Sequence, residues 1–550
     1  MIFKEVVKSI SKKEWRFFLI ISLFLVAATN FYPIYGFINT PKGYEYNGVS
    51  SQLPADVFVY YSYINQVKEG ALTFRNFFTP EISSTGLFNI VWLSVGGFAK
   101  FFGTGEIFAY HFTRIIFSPF FLLTIFLFVC SFFKNTKERF VAFLLTLSSG
   151  IGGLAAPFLP PSSYLLHGRG YKLPIDLWPI THGYVITTLG QSPHFVLSWT
   201  FMLWVLLLGF FAFKEKSFKY SVASGVVGLV YFNFHPYYAP VIFLSFLLFG
   251  FFHIFSDKSK FFSIAKYSIP VIFISSISLL YHFWNIQRNQ VLLIVHSQQN
   301  INYLPSVIYV ILGYGFLLLL AILGAYMIIV KKNFSEKKLF ILSWASAVFL
   351  LILFKTDFQA KFIQAWVIPL SFLATYYLFL YSAFFKKWIK ALTLKRTLVL
   401  VFVYVSIFFF SNIINISRNY FFIKQYPQRF YFSEDFMEAV RWSKKNIQQS
   451  DIILSSVDTG HVLAGMATRR VYLGHEGETL YKVKRQKNVE DFFSAMNNDE
   501  RIRFLENENI RYVFYGPFEK LLKKDVYFDD TSFLKVYDNS KVVIYRYQLQ

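Results

Sequence analysis

Apolar positions in this chain run in long unbroken stretches divided by polar gaps, without the period-two alternation of half-buried strands. A helix that crosses a bilayer needs about 20 mostly apolar residues. Stretches of that kind fall at roughly 17–36, 112–133, 139–158, 194–213, 219–236, 238–256, 262–284, 305–330, 338–354, 362–385 and 397–416. They predict a polytopic α-helical membrane protein with about eleven transmembrane helices over residues 1–417. The first stretch follows Lys4, Lys8, Lys12, Lys13 and Arg16. It is too long for a signal-peptide core and has no convincing small-residue cleavage site, so it reads as an uncleaved span.

Two gaps are long: residues 37–111, a first outer loop, and 159–193, a second. Within the first, Leu87 to Phe102 is apolar but short. Counting it as a span would invert the orientation of everything downstream, so it reads as a helix lying at the interface. From about residue 418 the pattern changes to that of a folded polar domain, 418–550. Ser433 to Lys445 carries a capped-helix signal; Asp451–Ser456, Arg469–His475 and Ile510–Tyr515 read as strands, and 533–548 as a hairpin about Asp538-Asn539-Ser540. Strands alternating with helices predict a small α/β layer with a mostly parallel sheet.

Composition agrees: 55% hydrophobic, 21% aromatic and 15% charged residues, with mean hydropathy +0.44, exclude a water-solvated globule. A net charge of +23 would suggest nucleic acid in such a globule. Here the lysines cluster in alternate gaps: at the N-terminus, Lys134–Arg139, Lys214–Lys216, Lys258–Lys260, Lys331–Lys338 and Lys386–Arg396. They are topology signals, not a nucleic-acid surface, and place the N-terminus in the cytoplasm and the C-terminal domain outside the plasma (cytoplasmic) membrane. The single Cys130 excludes an intrachain disulfide. There is no Walker loop, HExxH, dinucleotide fingerprint or GxSxG, so ATP-driven transport by this chain alone is not expected.

Chemistry then falls to carboxylates, histidines and basic groups in the outward gaps. Asp56, after Pro54 on a helix predicted to run to Gly70, could take a proton from a hydroxyl or bind a divalent cation; its position also fits an N-cap. Glu81, in Thr79-Pro80-Glu81, is the loop's second acid, and Glu106 a weaker one. His194 and His235 each neighbour a proline at a span end and could bind phosphate or a sugar hydroxyl. Arg169, Lys172, Arg288, Lys355 and Lys361 are outward cations suited to a lipid-linked phosphate or to lipid headgroups. His461, His475, Glu476 and Glu478 match no standard metal spacing and read as packed loop residues.

One span, a long outer loop with an acid on an amphipathic helix (Ala55-Asp56 through Gln66-Val67-Lys68-Glu69-Gly70), an interfacial helix Leu87 to Gly103, then a span near Arg114: this layout resembles the GT-C glycosyltransferases, integral-membrane enzymes. Ser192-Pro193-His194, Asn233-Phe234-His235-Pro236, Arg469 to His475 with Glu478-Thr479, and Tyr512 to Pro517 are similar to a little-characterised prokaryotic branch of that class. The resemblance implies transfer of a sugar from a polyprenyl-phosphate donor to a glycan, lipid or protein acceptor on the outer face, with Asp56 as catalytic acid residue. Many members pair acids in this loop, whereas Val57-Phe58 follow Asp56, which leaves the need for a divalent cation (Mg or Mn) open. Two other readings stand beside it: a flippase or permease for lipid-linked substrates, and a non-catalytic binder of envelope glycans.

Overall fold

The computed structural model describes residues 2–51, 53–159, 166–167, 170–171, 173–178, 183–254, 258–299, 303–529 and 531–548. The chain divides into two compact units: one of residues 1–31, 114–281 and 301–419, the other of 32–113, 282–300 and 420–550. The second therefore joins most of the first outer loop to the C-terminal segment.

In the first unit the apolar stretches fold as helices. Among the described residues, five helices are long and apolar enough to cross a membrane (Glu106–Phe132, Pro193–Lys214, Pro236–Ile254, Ser259–Arg288 and Val307–Val330), or eight spans if each of three bent pairs counts as one. Stretch 139–158 is not continuous: it forms a helix Thr136–Thr146, then breaks before the short turn Gly152–Ala155. The break follows from packing, because a Cβ on Gly150 would collide with the carbonyl of Gly313. Opposite it, Gly315 sits at φ +51° inside Val307–Val330, a left-handed conformation that interrupts that helix too.

Several charged groups buried in this unit find partners. Arg114 is fully buried, donating through Nε to Asn30 Oδ1 at 2.8 Å and through Nη1 to the carbonyls of Gly190 and Gln191. Arg139 meets Glu14 at 3.1 Å, both within a few per cent of full burial. Asp176 accepts a hydrogen bond from Gly152 N at 3.1 Å, and burial pushes its carboxyl up to about 7 against the hydrogen bonds of Ser411, Gly152 and Gly150 that favour the anion. A carboxyl raised on folding contributes stability at low pH that is lost as pH rises through about 7. Asp176→Asn removes that loss. The melting temperature of the variant relative to the native protein should climb between pH 5 and pH 8, by roughly 3 kcal/mol in stability at ~1.4 kcal/mol per unit; a gap that stays flat would show that Asp176 does not titrate there.

In the second unit, Tyr44–Tyr46 pairs antiparallel with Tyr431–Ser433. A four-stranded sheet follows in the order Ile452–Leu454, Ile510–Tyr515, Val543–Tyr547, Phe533–Asp538. Only its first pair is parallel; the other two are antiparallel, so the expected mostly parallel sheet is corrected. The strand over Ile510–Tyr515 and the hairpin beyond it stand as read. Arg469–His475 does not form a strand: one parallel bridge, Val471 with Ile453, is all it makes, since Val471 N turns to the carbonyl of Phe77. Ser433 occupies the N-cap of helix Glu434–Asn446, but its side chain makes no cap bond. Phe492, Phe493, Leu505, Val513 and Phe533 fill the core between sheet and helices.

Helix Ile90–Phe101 has 12 residues. At 1.5 Å per residue it covers about 18 Å, short of the ~30 Å hydrocarbon core. Val91, Trp92, Val95, Gly96 and Ala99 form its buried face, and Gly96 gives Val67 of helix Pro54–Lys68 room to approach.

Candidate functional site

Helix Pro54–Lys68 opens with Pro54 in its first turn, where a missing N–H costs nothing. Leu53, at φ +50°, is the N-cap, so Asp56 lies inside the first turn rather than capping it. Val57, Phe58, Val59, Tyr61, Ser62, Ile64, Asn65, Gln66 and Val67 are all buried. After the first two residues the positions that are only half-buried are Asp56, Tyr60, Tyr63 and Lys68, the first three at spacing i, i+4, i+7. The Tyr60 ring stacks on Trp92 at 4.4 Å, nearly parallel. Burial and then the charge of Asp56 raise the Tyr60 pKa well above its ordinary value, so the phenol beside the carboxylate keeps its proton.

Asp56 is not alone. His475 Nε2 lies 3.2 Å from its Oδ1, the imidazole 6% and the carboxylate 39% exposed. Segment 471–480 brings the ring there by knitting to the first loop. Val471 N donates to Phe77 O, and Thr479 Oγ1 donates to Phe78 O at 2.6 Å while accepting from Gly474 N and His475 N. Asn76 Nδ2 reaches Glu478 O at 2.9 Å. His461, on helix Val457–Met466, sets its ring edge-on to His475 at 5.5 Å. Burial, with His475 and Lys482 nearby, pushes its pKa down to about 3. The reading of His461 as a loop residue is corrected, since it lies on a helix, whereas His475 does lie in a packed loop. The sequence held one usable signal, a His flanked by Gly474 and by Glu476-Gly477-Glu478, but nothing in it pointed to Asp56.

Gly460 lets this arrangement close: a Cβ there would collide with Leu473 O and crowd Gly474 Cα at 2.9 Å. Gly460→Ala should cost about 1–3 kcal/mol, the usual range for overpacking. Thermal unfolding of the full chain checks it, and an unchanged melting temperature would mean the 473–475 backbone yields freely.

Glu81 forms an ion pair with Arg485 Nη2 at 2.5 Å and bonds Thr79. Arg470 Nη1 donates to the carbonyls of Asn76, Thr79 and Glu81. Two arginines thus clamp residues 76–81, and Glu81 belongs to that clamp. Arg288, also in this unit, is exposed, with its guanidinium 5.4 Å from the Trp284 ring centre. Among the described residues no three His, Cys, Asp or Glu side chains stand together as metal ligands.

The first unit holds a separate polar cluster. Ser192 Oγ and His194 Nδ1 are 2.7 Å apart, and His194 packs on Phe195. Phe195 also meets His235, whose ring lies parallel to Tyr231 at 5.9 Å and whose buried Nδ1 has no hydrogen-bond partner among the described residues. Lys361 Nζ sits 3.5 Å from the ring centre of Tyr237, itself against His235. Lys355 lies over Tyr303, whose hydroxyl donates to Asp357. The structure therefore gathers His194, His235 and Lys361. Arg169 and Lys172 lie outside the described residues.

No family model matches the chain, and no curated protein matches its sequence. Solved structures do. The archaeal oligosaccharyltransferase AglB from Archaeoglobus fulgidus, in complex with an inhibitory peptide and a dolichol-phosphate, superposes with a TM-score of 0.58 over 92% of this chain and 70% of that one, at 13% identity. ArnT from Cupriavidus metallidurans, bound to undecaprenyl phosphate, gives 0.50 over 98% of both chains at 10% identity. At these identities the likeness is one of fold: over more than nine-tenths of its length the chain folds as these two solved structures do.

Proposed function

We propose that the protein is a glycosyltransferase that moves a sugar from a polyprenyl-phosphate donor to an acceptor hydroxyl on the outer face of the plasma membrane. The observation that carries this reading is the Asp56 carboxylate, half-buried in the first turn of a packed helix, in a chain that folds as those two structures do. The neighbours' lipid phosphates support a donor of that class. In the reaction the acceptor oxygen attacks the anomeric carbon, its proton passes to Asp56, and the bond from that carbon to the phosphate oxygen breaks, leaving the lipid phosphate with the electron pair. Arg288, in the same unit as Asp56, is the cation for the donor phosphate; His194, His235, Lys355 and Lys361 are phosphate candidates within the first unit taken by itself. Glu81 holds the loop through Arg485, and Arg169 remains a further candidate for the phosphate.

In topology the reading keeps eleven spans. The eight of the bent-pair count are joined by helices Thr136–Thr146 with its continuation, Phe218–Phe234 and Glu336–Leu353. The N-terminus is then cytoplasmic, and residues 418–550 form an extracytoplasmic domain.

The test is a transfer assay in proteoliposomes with radiolabelled polyprenyl-phosphate hexoses. Label moving to an acceptor, or lipid-sugar hydrolysis that needs Asp56, supports the transferase. Donor that stays intact but changes leaflet would replace it with a transporter.

A further inference from the structure

We infer that the cavity where helix Gln290–Gln299 meets the first turn of helix Lys482–Ser494 is a subsite for an anionic saccharide, one that carries a carboxylate beside its hydroxyls. The inference rests on the transferase reading above and deepens it, since it names the class of acceptor. The cavity is open, has a volume of about 430 Å³, and its lining includes Gln298, Glu476, Tyr481, Lys482 and Lys484. That volume lies in the range of small-ligand sites. Its wall is fixed: Val291 and Val295 pack with Leu480, whose N–H donates to Thr79 Oγ1 at 3.3 Å. It also adjoins the candidate site. Glu476 follows His475, whose ring comes within 3.2 Å of Asp56, and Lys482 is close enough for its charge to act on the His461 ring.

The needs of the helix do not account for these residues. Tyr481 is its N-cap at φ +54°, a left-handed conformation costly to a residue with a Cβ, and its ring is left 57% exposed. Lys482 and Lys484 stand in a first turn that has no acidic residue, although cations there oppose the helix dipole. No ion pair among the described residues uses Glu476, Lys482 or Lys484. A sugar uses all of them. The flat face of Tyr481 suits the C–H face of a pyranose, Glu476 and Gln298 bond hydroxyls, and the two ammonium groups meet a carboxylate. Two cations against one acid leave the cavity positive, so a charged sugar is favoured over a neutral one.

Isothermal titration of the full-length protein in phosphatidylcholine nanodiscs tests it, with trigalacturonate and neutral maltotriose as probes. The acidic trimer should bind about tenfold tighter than the neutral one or better, and added salt should weaken the acidic trimer alone. Lys482→Gln with Lys484→Gln should bring the two to within about threefold of each other. Tyr481→Gly relieves the left-handed backbone, so the melting temperature should hold, while both trimers bind roughly threefold to tenfold more weakly. Tyr481→Phe keeps the ring face and should bind as the native protein does. Equal or absent binding of the two trimers, or native affinity in the double lysine variant, overturns the inference. So does capture of phosphatidylglycerol vesicles through the same lysines with no binding of the acidic trimer, because the patch is then a lipid contact. If the acidic trimer binds as expected and no donor sugar is transferred to it or to any other acceptor, the transferase reading falls while the cavity stands as a glycan-binding site.

Discussion

Asp56→Asn abolishes most transfer, by about 10²–10⁴-fold, the usual share of a general base. The change is isosteric, so packing of helix Pro54–Lys68 is preserved. What is lost is the ability to take a proton. Donor binding should hold, because the cations proposed for the phosphate are other residues. Asp56→Glu is a second variant in the same experiment: the carboxylate survives but moves by about 1 Å, which costs about 10²-fold when geometry is tight. Measured in the proteoliposome assay, Asn transfer within threefold of native would remove Asp56 from the mechanism.

Arg139→Ala should destabilise the protein by about 3–5 kcal/mol, the cost of leaving one member of a buried ion pair uncompensated. Arg139 and Glu14 are 3% and 1% exposed. Arg139 also donates from Nε to Phe133 O at 2.9 Å and from Nη2 to Ser9 Oγ at 2.7 Å, tying the first helix to the turn before Thr136–Thr146. In a denaturation series, Glu14→Gln with Arg139→Met should recover more than half of the Ala loss, since no charge is then stranded. A double variant no better than Arg139→Ala would show that the Ser9 and Phe133 bonds carry the effect instead.

The sequence made the apolar helices legible because membrane-length apolar runs are a local signal. The Asp56 helix, the strand Ile510–Tyr515 and the final hairpin were equally local. What stayed hidden depended on distance along the chain. Arg139 sits in a basic cluster that reads as a topology marker, yet it turns inward to an acid 125 residues earlier. Stretch 139–158 is apolar throughout, but its helix stops where Gly150 meets Gly313, a contact that no periodicity encodes. Arg469–His475 has strand-like composition but makes a single bridge to Ile453, with Val471 N turned to Phe77. The partner of Asp56 was least visible of all, because a histidine 419 positions away has no pattern linking it to the acid.

That separation has a consequence for biosynthesis. The 32–113 segment and the 420–550 segment belong to one compact unit, joined by pairing of Tyr44–Tyr46 with Tyr431–Ser433. At about 5–20 residues per second, a ribosome takes roughly 20–80 s to travel from Asp56 to His475. During that interval the loop waits with its unpaired strand and aromatic face uncovered, a substrate for chaperones and proteases. A nascent chain released before the end of translation therefore carries the carboxylate without its imidazole, and the surroundings of Asp56 are completed only with the last quarter of the polypeptide.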